Sequence, residues 1–174
     1  GFNYGPFAAD PEEPGTLYSA ENYTDQVYRS RNGGASWEPL PARPGGEVPT
    51  DLKLLRAIGG ILYGGGDTGV FASVDGGESW TLTPLSEVTS IAVLPGQPLA
   101  AFVASRDGVW KTSDGGRHWS PIFQKQPGIV AVSPARPDRL WFAGGGEVHR
   151  SDDGGLVWQR VGALADVFGL AVDE

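Results

Sequence analysis

Four copies of one eight-residue motif limit the architectures that this chain can adopt. Each copy reads Ser or Thr, any residue, Asp or Asn, Gly, Gly, two variable residues and Trp. The copies occupy residues 30–37, 73–80, 112–119 and 151–158, so successive tryptophans are 43, 39 and 39 residues apart. A motif that returns at a nearly constant spacing of this length predicts a repeat architecture.

Short apolar runs surround every motif at matching distances. They are rich in β-branched and aromatic residues and are bounded by Gly, Pro and Asp, as strands joined by tight turns are. No stretch shows a sustained helical period. We expect four strands per unit, in the order A, B, C, D, with the motif as the turn between C and D. Such units predict an all-β fold, a β-propeller of four-stranded antiparallel blades. The blades are expected at approximately residues 4–43, 50–85, 88–125 and 128–163.

The two ends of the chain do not match as a closed ring would require. Residues 166–174 resemble the inner strand A of a fifth blade, which makes four blades plus one extra inner strand. Three arrangements compete: a fragment of a longer propeller, a half ring that pairs with a second copy, and a closed ring of four blades. An open arc exposes two apolar blade faces, so we favour a fragment or a self-associating half ring.

The motif itself has a structural explanation. Glycine supplies the positive φ that a tight turn needs, and the Asp or Asn and Ser or Thr side chains bond to the turn backbone. The Trp is expected to fold over the turn and bury a large area. A metal-binding or catalytic role is disfavoured, because equivalent turns spread around a ring cannot converge on one site. The residues given this structural role are Ser30, Asn32, Gly34, Trp37, Ser73, Asp75, Gly77, Trp80, Thr112, Asp114, Gly116, Trp119, Ser151, Asp153, Gly155 and Trp158.

This pattern resembles the Asp-box (BNR) repeat family, and the resemblance covers essentially the whole chain. It implies a propeller with the boxes at its periphery, on the face opposite the usual ligand face. Related families include sialidases, xyloglucan-hydrolysing glucanases, sortilin-type receptors and photosystem II assembly factors. A box in nearly every blade, with frequent Gly-Gly, is most similar to the glucanase and assembly-factor branches. The fold does not decide among their functions.

Composition excludes several classes of function. The chain has 13 basic and 21 acidic residues and a net charge of −8, without the basic clusters that nucleic-acid binding requires. No apolar stretch is long enough for a membrane span. There is no Cys and there are two His, so we expect neither a metal site nor a cofactor. The sequence also has no Met and no signal peptide, which indicates a processed chain or an excised segment.

The loops between strands B and C, together with those between D and A, are where propeller ligands usually bind. A ligand there would contact Tyr23, Asp25, Asp67, Arg106 and Asp107. The recurring acidic residues suit a weakly cationic or hydroxyl-rich ligand such as a sugar. The competing interpretation is that Asp67 and Asp107 belong to ordinary hairpin turns and keep an acidic protein soluble.

No catalytic residue is assigned. No residues of this sequence match the arginine cluster of sialidases or the facing carboxylates of xyloglucan-hydrolysing enzymes. Both histidines occupy positions that recur in every repeat, so neither is singled out as a catalytic base. We therefore expect a non-catalytic scaffold that binds a protein partner or a glycan, outside the cytoplasm, with a possible homo-oligomer completing the ring. The alternatives are a segment of a carbohydrate-active enzyme, sialidase-like or another glycoside hydrolase, and a propeller fragment made to study blade assembly.

Overall fold

Sixteen β-strands make up the regular structure, and a computed structural model describes them over residues 5–21, 26–40 and 51–164. Blade 1 contains β1 (Phe7–Ala9), β2 (Leu17–Ala20), β3 (Val27–Ser30) and β4 (Glu38–Pro39). Blade 2 contains β5 (Leu52–Ile58), β6 (Ile61–Gly66), β7 (Val70–Ser73) and β8 (Thr81–Thr83). Blade 3 contains β9 (Ser90–Leu94), β10 (Gln97–Ser105), β11 (Gly108–Thr112) and β12 (Ser120–Phe123). Blade 4 contains β13 (Gly128–Val132), β14 (Leu140–Gly144), β15 (Glu147–Ser151) and β16 (Gln159–Ala163).

Each blade is one antiparallel sheet whose strands lie in sequence order. The first strand of each blade contacts the first strand of the next, from β1 to β5, β9 and β13. The predicted all-β propeller fold, with the motif between strands C and D, is therefore confirmed. Within the described residues no helix occurs, and none therefore has the length and apolarity needed to cross a membrane. The predicted inner strand at 166–174 and the connection 41–50 lie outside the described residues.

The blades bury their side chains against one another. We call the face of a blade that meets the preceding blade its leading face, and the opposite one its trailing face. Three apolar clusters fill the junctions between blades 1 and 2, 2 and 3, and 3 and 4. At the same position of strand B, Tyr18, Tyr63 and Phe102 each extend from a trailing face into the cluster behind it. Because strand side chains alternate between faces, both faces of blades 2 and 3 are apolar.

Polar contacts add to this packing. The Tyr63 phenol donates a hydrogen bond of 2.9 Å to the carbonyl of Pro98 in blade 3, and its burial raises the pKa of that phenol. Near the axis, the hydroxyl of Thr89 donates to the carbonyl of Gly128 at 2.6 Å, and that of Ser90 to the carbonyl of Val130 at 3.2 Å. The junctions are thus fixed by directional bonds as well as by apolar contact.

Candidate functional site

The four motifs form turns of one geometry, which we call the Gly-Gly turns (residues 30–37, 73–80, 112–119 and 151–158). In each, the Ser or Thr hydroxyl donates to the Asp or Asn side chain at 2.7–3.0 Å. The same hydroxyl accepts the amide of the second glycine at 2.8–3.0 Å. The Asp or Asn oxygen accepts the amide four residues later at 2.8–2.9 Å. The motif side chains are therefore used within the turn, as the structural interpretation expects.

Both glycines of each turn have a left-handed backbone. The first has φ between 68° and 73°, and the second has φ between 83° and 94°. The amide of the first glycine also donates to a carbonyl at the A–B turn or the start of strand B in the same blade, for example from Gly76 to Gly60 at 2.9 Å. A side chain at these positions would be strained, so the Gly-Gly pair is required by geometry.

In one Gly-Gly turn a histidine contacts the motif carboxylate. In the third turn the amide and the ring of His118 both bond to Asp114, with Nδ1 at 2.6 Å from Oδ2. These bonds hold the pKa of Asp114 at about 2, below its usual value near 3.8. In the first turn Asn32 makes the same backbone bond without a charge. The carboxylate charge is therefore not needed for the turn to form.

The tryptophans do not share one environment, which corrects the expectation that every one of them is buried over its turn. Trp80 is 8% exposed and belongs to the cluster between blades 1 and 2. Trp119 and Trp158 are partly buried in the next two clusters. Trp37 is 39% exposed and contacts Phe7 edge-on, with ring centroids 6.4 Å apart. The physical reason is that these rings lie on leading faces, and no described blade covers the leading face of blade 1.

The opposite edge of the sheets carries the predicted ligand residues, because B–C and D–A connections lie at the end of a blade away from its Gly-Gly turn. Here the connection between blades 2 and 3 bonds to both neighbouring hairpins. The amide of Glu87 donates to the carbonyl of Asp67 at 3.4 Å, and the amide of Arg106 donates to the carbonyl of Ser86 at 3.0 Å. The structure therefore brings Asp67 and Arg106 to two sides of one short segment.

The side chains there form two ion pairs, which together we call the rim cluster (Lys53 with Asp67, and Glu87 with Arg106). Lys53 Nζ lies 2.6 Å from Asp67 Oδ2, and Arg106 Nη2 lies 3.3 Å from Glu87 Oε1. The hydrogen bond from Lys53 is the main cause that lowers the pKa of Asp67, and the same bond raises the pKa of Lys53. All four side chains are largely exposed. Such a surface offers donors and acceptors to a polar ligand.

Backbone strain is found at the same edge. Asp51 and Glu87 have φ of 55° and 49°, in the left-handed region that non-glycine residues rarely adopt. Each precedes the inner strand of its blade, Asp51 before β5 and Glu87 before β9. Strained positions of this kind collect at binding sites, where the surrounding structure holds them. The strain therefore supports the rim cluster as the candidate site.

The other predicted ligand residues are placed differently. Asp107 lies on the B–C hairpin of blade 3 with an exposed side chain, and its amide donates to Ser105 Oγ at 3.3 Å. Tyr23 and Asp25 lie outside the described residues. Within residues 5–21, 26–40 and 51–164, no three His, Cys, Asp or Glu side chains are grouped to hold a metal ion.

Sequence reasoning missed Lys53 and Glu87 as members of the site. Lys53 belongs to strand β5 and Glu87 to the connection between β8 and β9, so neither lies in a B–C loop. Their position in the repeat could have indicated them, because both residues lie near the start of strand A, at the same end of the blade as the B–C loops. Their opposite charges to Asp67 and Arg106 become meaningful only once the blades are adjacent in space.

Comparison with known proteins identifies the architecture and leaves the family open. No protein-family model and no curated protein matches the sequence. Among matching solved structures, an ancestral GH74 enzyme is 24% identical over 95% of this chain and 25% of its own, with a TM-score of 0.69. YCF48 bound to D1 peptide is 15% identical over 90% of this chain and 66% of its own, with a TM-score of 0.52. The GH74 xyloglucanase from Xanthomonas campestris is 17% identical over 94% of this chain and 38% of its own, with a TM-score of 0.51.

These similarities define the class of protein as a β-propeller. At such identities they show the fold alone. The chain spans between about a quarter and two thirds of the length of these neighbours. The Asp-box assignment stays a resemblance that rests on the four motifs.

Proposed function

We propose that this chain is a non-catalytic propeller scaffold that binds a polar segment of a protein partner at the rim cluster. The observation that carries the proposal is the presence of two exposed ion pairs, Lys53 with Asp67 and Glu87 with Arg106, on one edge. Such pairs can be exchanged for charged groups of a partner at little cost, because exposed pairs are weak. The structural neighbour YCF48, which is bound to a D1 peptide, supports a peptide as the ligand class.

The charge pattern favours a peptide over a catalytic carbohydrate site. Hydrolysis of a glycosidic bond canonically uses two carboxyl groups that flank the bond, and the one that acts as the acid has a raised pKa, whereas the pKa values of Asp67 and Glu147 are lowered by their cationic partners. In the rim cluster Asp67 is bonded to Lys53 and Glu87 to Arg106. The same holds in blade 4, where Glu147 lies 3.1 Å from both Lys125 and Arg160. The likeness to GH74 enzymes keeps a carbohydrate-active protein as the alternative.

Binding can be measured by fluorescence anisotropy with two labelled probes, the D1 peptide and a peptide of alternating Lys and Glu. We expect at least one of them to bind, and to bind more weakly as salt screens the charges. Arg106→Glu and Lys53→Glu should each weaken that binding by about fivefold, the upper range for an exposed ion pair. Arg117→Glu is the matched control, because Arg117 is an exposed arginine in a Gly-Gly turn at the opposite edge.

Three outcomes would overturn the proposal. One is that neither peptide binds, and another is that Arg117→Glu weakens binding as much as Arg106→Glu does. The third is that xyloglucan oligosaccharides bind or are hydrolysed while the peptides do not bind, which would establish the carbohydrate-active alternative.

A further inference from the structure

A cavity of about 340 Å³ lies between blades 1 and 2, on the edge that carries the Gly-Gly turns. We call it the junction cavity. The A–B turn and the Gly-Gly turn of both blades line it, together with strands β2 and β3 of blade 1. These four turns belong entirely to the described residues (10–16, 31–37, 59–60 and 74–80). The junction cavity is therefore bounded by two described blades, and it lies on the edge opposite the rim cluster.

The cavity is open because a glycine stands where the next blade has an apolar side chain. Between blades 2 and 3, a Cβ placed on Gly115 would meet the side chains of Val74 and Leu99. The amide of Gly115 donates to the carbonyl of Leu99, as the amide of Gly76 donates to that of Gly60, both at 2.9 Å. Gly60 is therefore the counterpart of Leu99. Since Gly60 has no side chain, the space that Leu99 fills at the next junction stays open here.

Two counterpart tyrosines show that the cavity contains an unused hydrogen-bond donor. The Tyr63 phenol donates to the carbonyl of Pro98 in the following blade at 2.9 Å. Tyr18 is 1% exposed and interacts with Arg29, whose guanidinium has donors only. Burial raises the pKa of Tyr18, so its hydroxyl keeps the proton. Among the described residues this hydroxyl donates to no acceptor, and Tyr18 lines the junction cavity.

Thr16 brings a second buried hydroxyl to the same cavity. The residue is 8% exposed, and its backbone is bonded to Glu13 and Asp10. Its side-chain hydroxyl forms no hydrogen bond with the part of the chain that the structure describes. The counterparts of Thr16 are Ile61 in blade 2 and Ala100 in blade 3, so the fold does not require a hydroxyl at this position. Because a buried polar group costs free energy unless it is paired, both hydroxyls favour a ligand with polar groups.

The charged groups around the cavity oppose one another. Arg29 is already paired with Glu38 at 2.8 Å, and Arg31 lies 3.4 Å from the same carboxylate. The other two charged residues that line the cavity are the acidic Glu13 and Asp75. An anion would therefore meet the carboxylates, and a cation would meet the guanidinium groups. A neutral ligand that has both donors and acceptors meets neither penalty.

We propose that the junction cavity binds a neutral polyhydroxyl molecule of the size of one sugar ring. Such a ligand can accept hydrogen bonds from the hydroxyls of Tyr18 and Thr16 and donate them to the carboxylate of Glu13. The size agrees, because the cavity lies at the lower end of the range of about 300–1,000 Å³ for ligand pockets. The proposal does not depend on what the rim cluster binds, since the two sites lie on opposite edges.

Binding can be measured by NMR, by titrating the ¹⁵N-labelled chain with glucose, galactose, mannose and xylose. We expect at least one sugar to shift the amide signals of Gly60 and Gly76 saturably and to leave that of Gly115 unchanged. The amino sugar and the uronic acid derived from the sugar that binds should both bind more weakly, because each adds one charge to the same ring. Sugar binding at the rim cluster would instead shift the amides of Glu87 and Arg106, so the two sites are distinguished in one spectrum.

Variants that each remove one hydroxyl test the contacts. Tyr18→Phe and Thr16→Val should each weaken sugar binding by about fivefold, the contribution of one hydrogen bond. Tyr63→Phe is the matched control, because it removes the same hydroxyl from the counterpart tyrosine, which is bonded to Pro98. Its sugar affinity should equal that of the wild type. The amide spectrum of each variant shows whether the blades remain folded.

Three results would overturn the proposal. The first is that none of the four sugars shifts the amides of Gly60 and Gly76. The second is that a charged derivative binds more tightly than its neutral parent, which would make the cavity an ion site. The third is that Tyr63→Phe weakens sugar binding as much as Tyr18→Phe does.

Discussion

Asp10 in blade 1 accepts a hydrogen bond of 2.8 Å from the amide of Gly60 in blade 2. Its other oxygen accepts the amides of Gly59 at 2.9 Å and of Glu12 at 3.0 Å. The carboxylate is 4% exposed. Glu12 extends further and accepts the amide of Gly96 in blade 3 at 2.7 Å. One acidic turn therefore ties together the inner turns of three blades.

Asp10→Ala should lower the free energy of unfolding by about 3 kcal/mol. The change removes charge-assisted bonds, and it leaves backbone amides in a buried site without their acceptor. Urea unfolding followed by tryptophan fluorescence measures the loss. Asp107→Ala is the matched control, because that carboxylate is exposed and its removal should change stability by less than about 0.5 kcal/mol. Equal losses in the two variants would disprove the bridging role of Asp10.

Two substitutions in the second Gly-Gly turn distinguish the contribution of the Ser73 hydroxyl to stability from that of the Asp75 charge. Ser73→Ala should cost about 1–3 kcal/mol, because the buried amide of Gly77 loses its acceptor. Asp75→Asn should cost less than about 0.5 kcal/mol, because Asn32 makes the equivalent bond to the amide of Ser36. Thermal and urea unfolding of the two variants would show the order. If Asp75→Asn proved the more damaging, the turns would not be equivalent.

The tryptophans should differ in their effect on stability. Trp80→Ala is expected to cost about 3–5 kcal/mol, the range for removing a large buried aromatic side chain. Trp37→Ala should cost about 1–2 kcal/mol, because its ring is 39% exposed and the change removes less buried apolar area. Both losses can be read from urea unfolding followed by circular dichroism. A loss for Trp37→Ala as large as that for Trp80→Ala would contradict the exposed position of its ring.

The repeat pattern predicted the fold because each element depends on local sequence. The alternation around Tyr63 and Phe102 defines strands, and Gly76-Gly77 can only serve as a turn. The exposure of Trp37 and Phe7 could not be predicted, because a motif does not encode whether another blade stands in front of it. Of the pair formed by Glu87 and Arg106, which meet only in the folded chain, the sequence predicted Arg106 as a ligand residue and did not predict Glu87.

His149 occupies a position where blade 2 has Phe71 and is 6% exposed. Its ring lies 5.0 Å from that of Phe123, its Nε2 is 3.5 Å from Glu147, and its buried Nδ1 has no hydrogen-bond partner among the described residues. Burial lowers the pKa of His149, although the carboxylate of Glu147 acts in the opposite direction. The folded chain therefore binds a proton on this ring less readily than the unfolded chain does.

Because the folded and unfolded chains bind a proton at His149 with different affinity, the free energy of unfolding depends on pH. Above the unfolded pKa of about 6.5 the imidazole is neutral in both states, and its contribution to stability is fully present. As the pH falls below that value and through the lowered folded pKa, the unfolded chain gains protons first and stability is lost. His149→Phe should flatten the unfolding free energy between about pH 7 and pH 5, whereas Phe71→His should add a further loss over the same range. If wild type and His149→Phe lost stability equally between these pH values, the buried ring would not be the group that titrates.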